Sequence, residues 1–388
     1  MFTLKNKAID PSHYTNTLTE INQQPAIWRQ TFQDVMAKKE KIEAFFNTIA
    51  EEQHLTDTKK LRVIFTGAGT SEYVGNTVRD YLSTVNETFQ FESIGTTSLV
   101  STPHLFFKKD VPTLLVSFAR SGNSPESLAA VHLAEQLVDP IYQMAITCAP
   151  DGKLAMQLNE AKNSCVLIMP EGTNDKAFAM TSSFSSMLLS ALLVFDPLSD
   201  EEKKDRVNRV AASAENVLTR VDEIHDLIDI DFARIAYLGS GSLYALAKEA
   251  RLKILELTAG MVAAIEESSM GFRHGPKSFI NPETVVVGLV SNDAYTRQYD
   301  TDILNEVAGD EIAKKTIAIT PTALESHCAQ FVLEGADGLE DVYLALPEIV
   351  VAQLFSLIAS VHVGNLPDTP SKTGTVNRVV KGVEIHNL

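Results

Sequence analysis

The sequence predicts an α/β fold of two doubly wound parallel sheets in tandem, each the middle of three αβα layers, and three observations predict it. Short β-branched apolar runs alternate with longer helical stretches, the pattern of strands joined through crossover helices into a parallel sheet. Strand, glycine turn and helix follow one another in "LRVIFTGAGTSEYVGNTVRDYLSTV" and again in "RIAYLGSGSLYALAKEARLKILEL". The stretches "TGAGTSEYVG" from Thr66 and "LGSGSLYALA" from Leu238 therefore open two copies of one unit, separated by a polar helical stretch containing "EEKKDRVNRV".

Each element has its own signal. "SHYTNTLTEINQQPAIWRQTFQDVMAKKEKIEAFFNTI" reads as a helical arm, placed at residues 1–48. In the first domain, residues 49–200, the runs "LRVIFT", "VPTLLV", "IYQMAITCA" and "SCVLIMP" read as strands, and "LAAVHLAEQL" as an amphipathic helix. In the second, residues 201–365, "RIAYLG", "TVVVGLV" and "KTIAIT" are the strands. Residues 366–388 form a tail whose apolar "VV" and "VEI" predict that it docks on the body.

Composition narrows the function. With 388 residues, 45% hydrophobic and 21% charged, the chain is long enough for two domains with their own cores. The N-terminus has no basic segment followed by an apolar one, and apolar stretches such as "MLLSALLVF" look too short to cross a bilayer, so a cytoplasmic protein without a membrane partner is expected. A formal net charge of −17 repels polyphosphate backbones, which argues against a nucleic-acid partner. Cys148, Cys165 and Cys328 have no metal-ligand spacing and read as reduced core thiols; no metal site and no cofactor are expected.

The most informative stretch is "SFARSGNSPES", Ser117 to Ser127. It places hydroxyls, a glycine and Arg120 where a strand hands over to a helix, with Pro125 suited to the first helical position, and such a turn holds an anion on backbone N–H groups and the helix dipole. The same residues also serve a purely structural cap. A dinucleotide fits less well. The glycine pairs Gly67/Gly69 and Gly239/Gly241 are followed by Glu72 and Tyr244 where the fingerprint requires a third glycine.

Across nearly its whole length the chain resembles the tandem SIS (sugar isomerase) domain proteins, among them the isomerase half of glucosamine-6-phosphate synthase. The resemblance rests on "LTEINQQP", "GAGTS", "RSGNSPESL", "LGSGSLYALAKEARLKILEL", "RHGP" and "DTPSKTGTVNRVVKGVEIH". The form "SFARSGNSPES" is most similar to the tagatose-6-phosphate ketose/aldose isomerase family, also described as galactosamine-6-phosphate deaminating isomerases. Met1 is followed by no nucleophilic cysteine, so the synthase's glutaminase is not expected. The resemblance implies flavodoxin-like sheets and a hexose or hexosamine 6-phosphate as partner. It implies that Arg120, Ser121, Gly122, Asn123 and Ser124 wrap the phosphate with Thr70 and Ser71, and that Thr181, Ser182 and Ser183 close over the sugar. The synthase pattern has serine and glutamine where this chain has Ala119 and Arg120.

Moving a proton between C1 and C2 through a cis-enediol or enolamine needs a carboxylate base, a group that opens the ring and donors for the developing oxyanion. Lys253 and Glu256 lie three apart on one helical face, a spacing that also suits a surface ion pair. The resemblance makes Glu256 the base and Lys253 its charge partner. It likewise makes His274, which could simply cap a turn, the ring-opening group, supplied across a homodimer interface, and it sets Lys381 over the sugar ring. The function implied is conversion of galactosamine 6-phosphate to tagatose 6-phosphate with ammonia release, or aldose/ketose 6-phosphate isomerisation. The alternatives are a non-catalytic sugar-phosphate sensor, which would need no base, and a nicotinamide enzyme, which the missing third glycines disfavour.

Overall fold

The computed structural model describes residues 9–380 and 382–388. Three helices come first: α1 (Thr15–Asn22), α2 (Gln24–Met36) and α3 (Lys39–Gln53). The first sheet region follows as β1 (Leu61–Thr66), α4 (Thr70–Val85), β2 (Phe89–Ser93), α5 (Thr96–Ser101), α6 (Pro103–Phe106), β3 (Thr113–Ala119), α7 (Pro125–Leu137), β4 (Ile141–Thr147), α8 (Lys153–Glu160) and β5 (Ser164–Ile168). Helices α9 (Ser182–Phe195), α10 (Asp200–Thr219) and α11 (Val221–Ile228) lead into the second: β6 (Arg234–Gly239), α12 (Ser242–Leu257), β7 (Ala263–Ser268), β8 (Thr284–Leu289), α13 (Ala294–Gly309), β9 (Lys315–Thr320), β10 (Ala329–Val332) and α14 (Asp341–His362).

The chain divides into two units, neither of them one continuous stretch. The first-sheet unit holds Ile27–Asn174, Ser182–Lys203 and Val376–Leu388; the second-sheet unit holds the N-terminal segment ending at Ala26, Asp175–Thr181 and Lys204–Thr375.

In the first-sheet unit the strand order is β2-β1-β3-β4-β5, all parallel. Every residue of β1, β3 and β4 is buried, as expected of parallel strands covered on both faces. One face is filled by a phenylalanine cluster, Phe46, Phe65, Phe89, Phe91 and Phe195, with ring centroids 5.3–5.9 Å apart. Edge-to-face and offset contacts at such distances add packing energy beyond area burial.

In the second-sheet unit the order is β10-β9-β8-β6-β7, the same winding read from the other edge. The two opening turns also match in conformation. Gly69 has φ 56° and ψ −126°, Gly241 has φ 54° and ψ −125°, and each stands just before the first residue of its helix. Both sheets therefore carry the predicted α/β winding, and both reverse strand order between the strand that opens the copy and the third strand, the point where open α/β sheets bind ligands. The sequence reading passed over β2, β7 and β10. All three lie at sheet edges, where strands are partly exposed and carry polar residues.

One expectation fails. Helix α14 is 22 residues long and apolar enough to span a bilayer by length and composition. It is instead the central helix of the second-sheet unit, buried along nearly its whole length and packed against α1, α11 and α12. It also carries Glu348, Gln353 and Ser356 inside that unit.

Candidate active site

The loop after β3 is built on Gly122, whose φ of +62° lies in the left-handed region that glycine enters without steric cost. A Cβ at Gly122 would stand 3.3 Å from Leu154 Cβ. The Gly122 carbonyl accepts from Leu154 N at 3.0 Å, and Asn123 Oδ1 accepts from Lys153 N at 3.1 Å, which fastens the loop to the start of α8. Ser121 Oγ accepts from Asn123 N at 3.3 Å. Ser124 stands at the N-cap of α7 with Pro125 as first helical residue, but its hydroxyl bonds Ser127 Oγ at 2.6 Å rather than capping the helix.

Thr70 and Ser71 are the buried first residues of α4. The turn before them is tight: a Cβ on Gly67 would lie 2.4 Å from the Ser71 carbonyl carbon. Thr70, Ser71 and residues 120–124 are thus brought together at the C-terminal ends of the neighbouring strands β1 and β3, the switch point of the sheet. Ser182 and Ser183 open α9, buried, on the helix that packs against α4. Thr181, in the second-sheet unit, donates its amide to Asp175 Oδ2 at 2.8 Å and its hydroxyl to Asp175 Oδ1 at 3.2 Å. Arg120 is 7% exposed, and its Nη2 donates to the Arg378 carbonyl at 2.6 Å, tying the loop to the tail. Arg378 in turn reaches Asn174 Oδ1 at 2.5 Å.

The equivalent turn of the second sheet is filled differently. Ser240 and Ser269 donate to Asp300 Oδ1 at 2.6 and 2.5 Å, and the Ser291 amide to Oδ2 at 3.0 Å. Asp341 takes the Ser291 hydroxyl at 2.5 Å and the Asn292 amide at 2.7 Å. Carboxylates there use the donors that an anion would need.

Helix α12 carries the acid–base candidates. Lys253 is fully buried, and its ammonium lies 2.5 Å from Glu256 Oε2 and 3.3 Å from Glu249 Oε1. Burial by itself would lower the Lys253 pKa, but the two carboxylates outweigh it and hold it above the ordinary value. The pair is therefore no surface ion pair. Glu256 is anchored through one oxygen from below while its side chain keeps 23% exposure. Glu249, also fully buried, was missed by sequence reasoning. Its signal was present, four residues before Lys253 on the same helical face. His274 closes a single 3₁₀ turn, Gly271–Arg273, and is exposed beside Met270, itself half exposed. Lys381 lies outside the described residues.

The loop after β3 offers turn amides, hydroxyls and a helix N-terminus, and helix α12 sets a carboxylate against a buried ammonium. Known proteins are similar to this chain over nearly its whole length. The chain is 40% identical over 373 residues to the D-galactosamine-6-phosphate deaminase AgaS of Shewanella sp. strain ANA-3, covering 95% of this chain and 91% of that protein. The crystal structure of tagatose-6-phosphate ketose/aldose isomerase from Escherichia coli superposes with a TM-score of 0.87 at 37% identity, over 98% of this chain and 99% of that one. The C-terminal domain of glucosamine-fructose-6-phosphate aminotransferase from Francisella tularensis shares the fold, with a TM-score of 0.73 at 19% identity over 91% of this chain and 98% of that one. Residues 54–196 and 230–362 each match the SIS domain model, one on each sheet, and the chain belongs to the SIS domain family.

Proposed function

We propose that this chain is a sugar-phosphate isomerase of the deaminating kind, converting galactosamine 6-phosphate and water to tagatose 6-phosphate and ammonia. The observation that carries the reading is Glu256 fixed by the buried Lys253 in a chain that matches a galactosamine-6-phosphate deaminase over 95% of its length. A sensor needs the phosphate loop but no base.

In the proposed sequence Ser121, Gly122, Asn123 and Ser124, with Thr70 and Ser71, hold the phosphate, and Arg120 sets the loop against the tail. Thr181, Ser182 and Ser183 face the sugar. His274 passes the proton between O1 and O5 that opens the ring. Glu256 takes the proton from C2 and returns it to C1, so the enolamine becomes a C2 iminium. Water adds at C2 and ammonia leaves, giving the ketose. Lys253 stabilises the charged form of the base, and Lys381 serves over the ring. We further propose a cytoplasmic homodimer in which His274 serves the partner's site; the exposure of His274 and Met270 supports this.

The test is Glu256→Gln, which keeps volume and hydrogen bonding but cannot accept a proton. Turnover should fall by about 10⁴-fold, the upper end for a general base, with KM little changed, and solvent deuterium should no longer enter C1. A variant that still exchanges deuterium at the parental rate removes Glu256 from the mechanism. Ammonia release from galactosamine 6-phosphate and glucosamine 6-phosphate in parallel reads the sugar preference.

A further inference from the structure

Helix α1 buries Thr17, Leu18 and Ile21, and among them a carboxylate, Glu20, only 5% exposed. Buried acids are rare without a partner. Glu20 Oε1 accepts from the backbone amides of Lys176 at 2.5 Å and Ala177 at 3.2 Å. Residues 175–181 form neither helix nor strand, yet Asp175, Ala177, Ala179 and Thr181 are buried, so their backbone must find acceptors elsewhere. Asp368 completes the attachment. Its carbonyl accepts from Phe178 N at 3.3 Å, while its carboxylate holds α1 through Thr17 N at 2.8 Å, Thr17 Oγ1 at 2.6 Å and Asn16 N at 3.0 Å. Within the same unit, Asp175 holds the amide and hydroxyl of Thr181. The segment is thus fastened at Lys176 and Ala177 by Glu20, at Phe178 by Asp368 and at its end by Asp175.

We infer that Glu20 is a positioning residue for substrate binding: it fixes the segment Asp175–Thr181, which leads directly into the sugar-facing Thr181, Ser182 and Ser183. The inference rests on the reading of those three residues as sugar-facing. Asp175 and Asp368, both acids, are among the groups facing Glu20. Burial first, then the Asp175 charge, push the Glu20 carboxyl up to about 7; the two peptide N–H groups pull against this and Asp368 adds to it. A carboxyl raised in the folded state contributes fully below its ordinary range near 4.5, and the contribution is lost as the pH climbs through about 7. The attachment is therefore strongest with Glu20 protonated, and it loosens as the pH passes about 7.

The experiment compares Glu20→Gln and Glu20→Ala with the parent. KM for galactosamine 6-phosphate is measured from pH 6 to 8.5, and amide exchange of peptides covering 175–183 is measured without substrate. The parent's KM should rise as the pH passes 7. Glu20→Gln keeps an acceptor for both amides, so its KM should match the parent at pH 6 and stay flat. Glu20→Ala loses the acceptor, so its KM should rise about tenfold or more at every pH, with kcat at saturation nearly parental and exchange in 175–183 accelerated. Parental exchange in Glu20→Ala overturns the attachment itself, independently of any substrate. Accelerated exchange with a parental KM shows that the attachment holds but the sugar-facing reading fails, and the positioning role with it. A Glu20→Gln enzyme that keeps the parental pH dependence of KM overturns the role of the proton.

Discussion

Replacing Lys253 by methionine tests the electrostatic design of α12 directly. The substitution keeps a chain of similar length and removes the Lys253 charge that pairs with both Glu249 and Glu256. At the 3.3 Å separation from Glu249, and an effective dielectric of about 20, the lost attraction is about 5 kcal/mol. Glu249 is fully buried, so it cannot recover hydration, and removing one partner of a buried pair typically costs about 3–5 kcal/mol. The expected result is a loss of stability in that range, read as a lower urea midpoint by circular dichroism. Adding Glu249→Leu to Lys253→Met should restore most of it, because the stranded charge is then gone, and a four-protein double-mutant cycle isolates the coupling. A single-variant loss under about 1 kcal/mol would refute the reasoning. It would mean that Glu249 carries a proton rather than a charge, and that Lys253 does not hold a buried anion.

Three further outcomes are expected. Gly122→Ala puts a Cβ into a left-handed conformation with Leu154 Cβ 3.3 Å away, so it should cost about 1 kcal/mol and weaken the thermal stabilisation by tagatose 6-phosphate; an unchanged ligand shift would separate the loop from the phosphate. His362 sits against the carboxylates of Asp231 and Asp229; burial lowers its pKa, but the two acids outweigh this and raise it. His362→Gln should therefore lose up to about 1 kcal/mol below pH 6, and progressively less as the pH climbs through the folded pKa, in parallel unfolding titrations. Burial above all, with Asp341 and Asp300 adding to it, holds the Glu348 carboxyl well above its ordinary value. Its contribution is full below about 4.5 and declines as the pH rises, so Glu348→Gln should flatten the fall in melting temperature as the pH is raised from about 4.5.

What was legible in the sequence follows from how local its cause is. The strands β1, β3, β4, β6, β8 and β9, buried except at the first residue of β6 and β9, show as apolar runs because both faces are covered; β5 shows although it lies at an edge because its middle three residues are buried, whereas β2, β7 and β10 share more of their surface with solvent and do not show. The phosphate loop is legible because strand, glycine turn, Pro125 and helix are contiguous. Lys253 and Glu256 are legible as a spacing, but whether that spacing is a surface pair or a buried one is decided by what covers α12. The length of α14 is hidden by Glu348, Gln353 and Ser356, which interrupt its apolar run although the fold buries them all. The attachment of residues 175–181 could not be read at all, since it depends on contacts such as Thr17 to Asp368, 351 residues apart in the sequence.

The discontinuous membership of the two units constrains how the chain acquires its fold during synthesis. The stretch ending at Ala26 is made before the residues from Lys204 onward with which it belongs, and the first sheet's unit awaits the residues from Val376. At about 5–20 residues per second, a ribosome needs roughly 20–70 s to travel from Ala26 to Val376. Through that interval the buried side chains of α1, such as Leu18 and Ile21, wait for α14, so the nascent chain exposes apolar surface that a domain made of one continuous segment would already have covered. A nick or stalled translation after the first sheet should leave a product missing the segment it receives from the far end of the chain, whatever the intrinsic stability of its five strands.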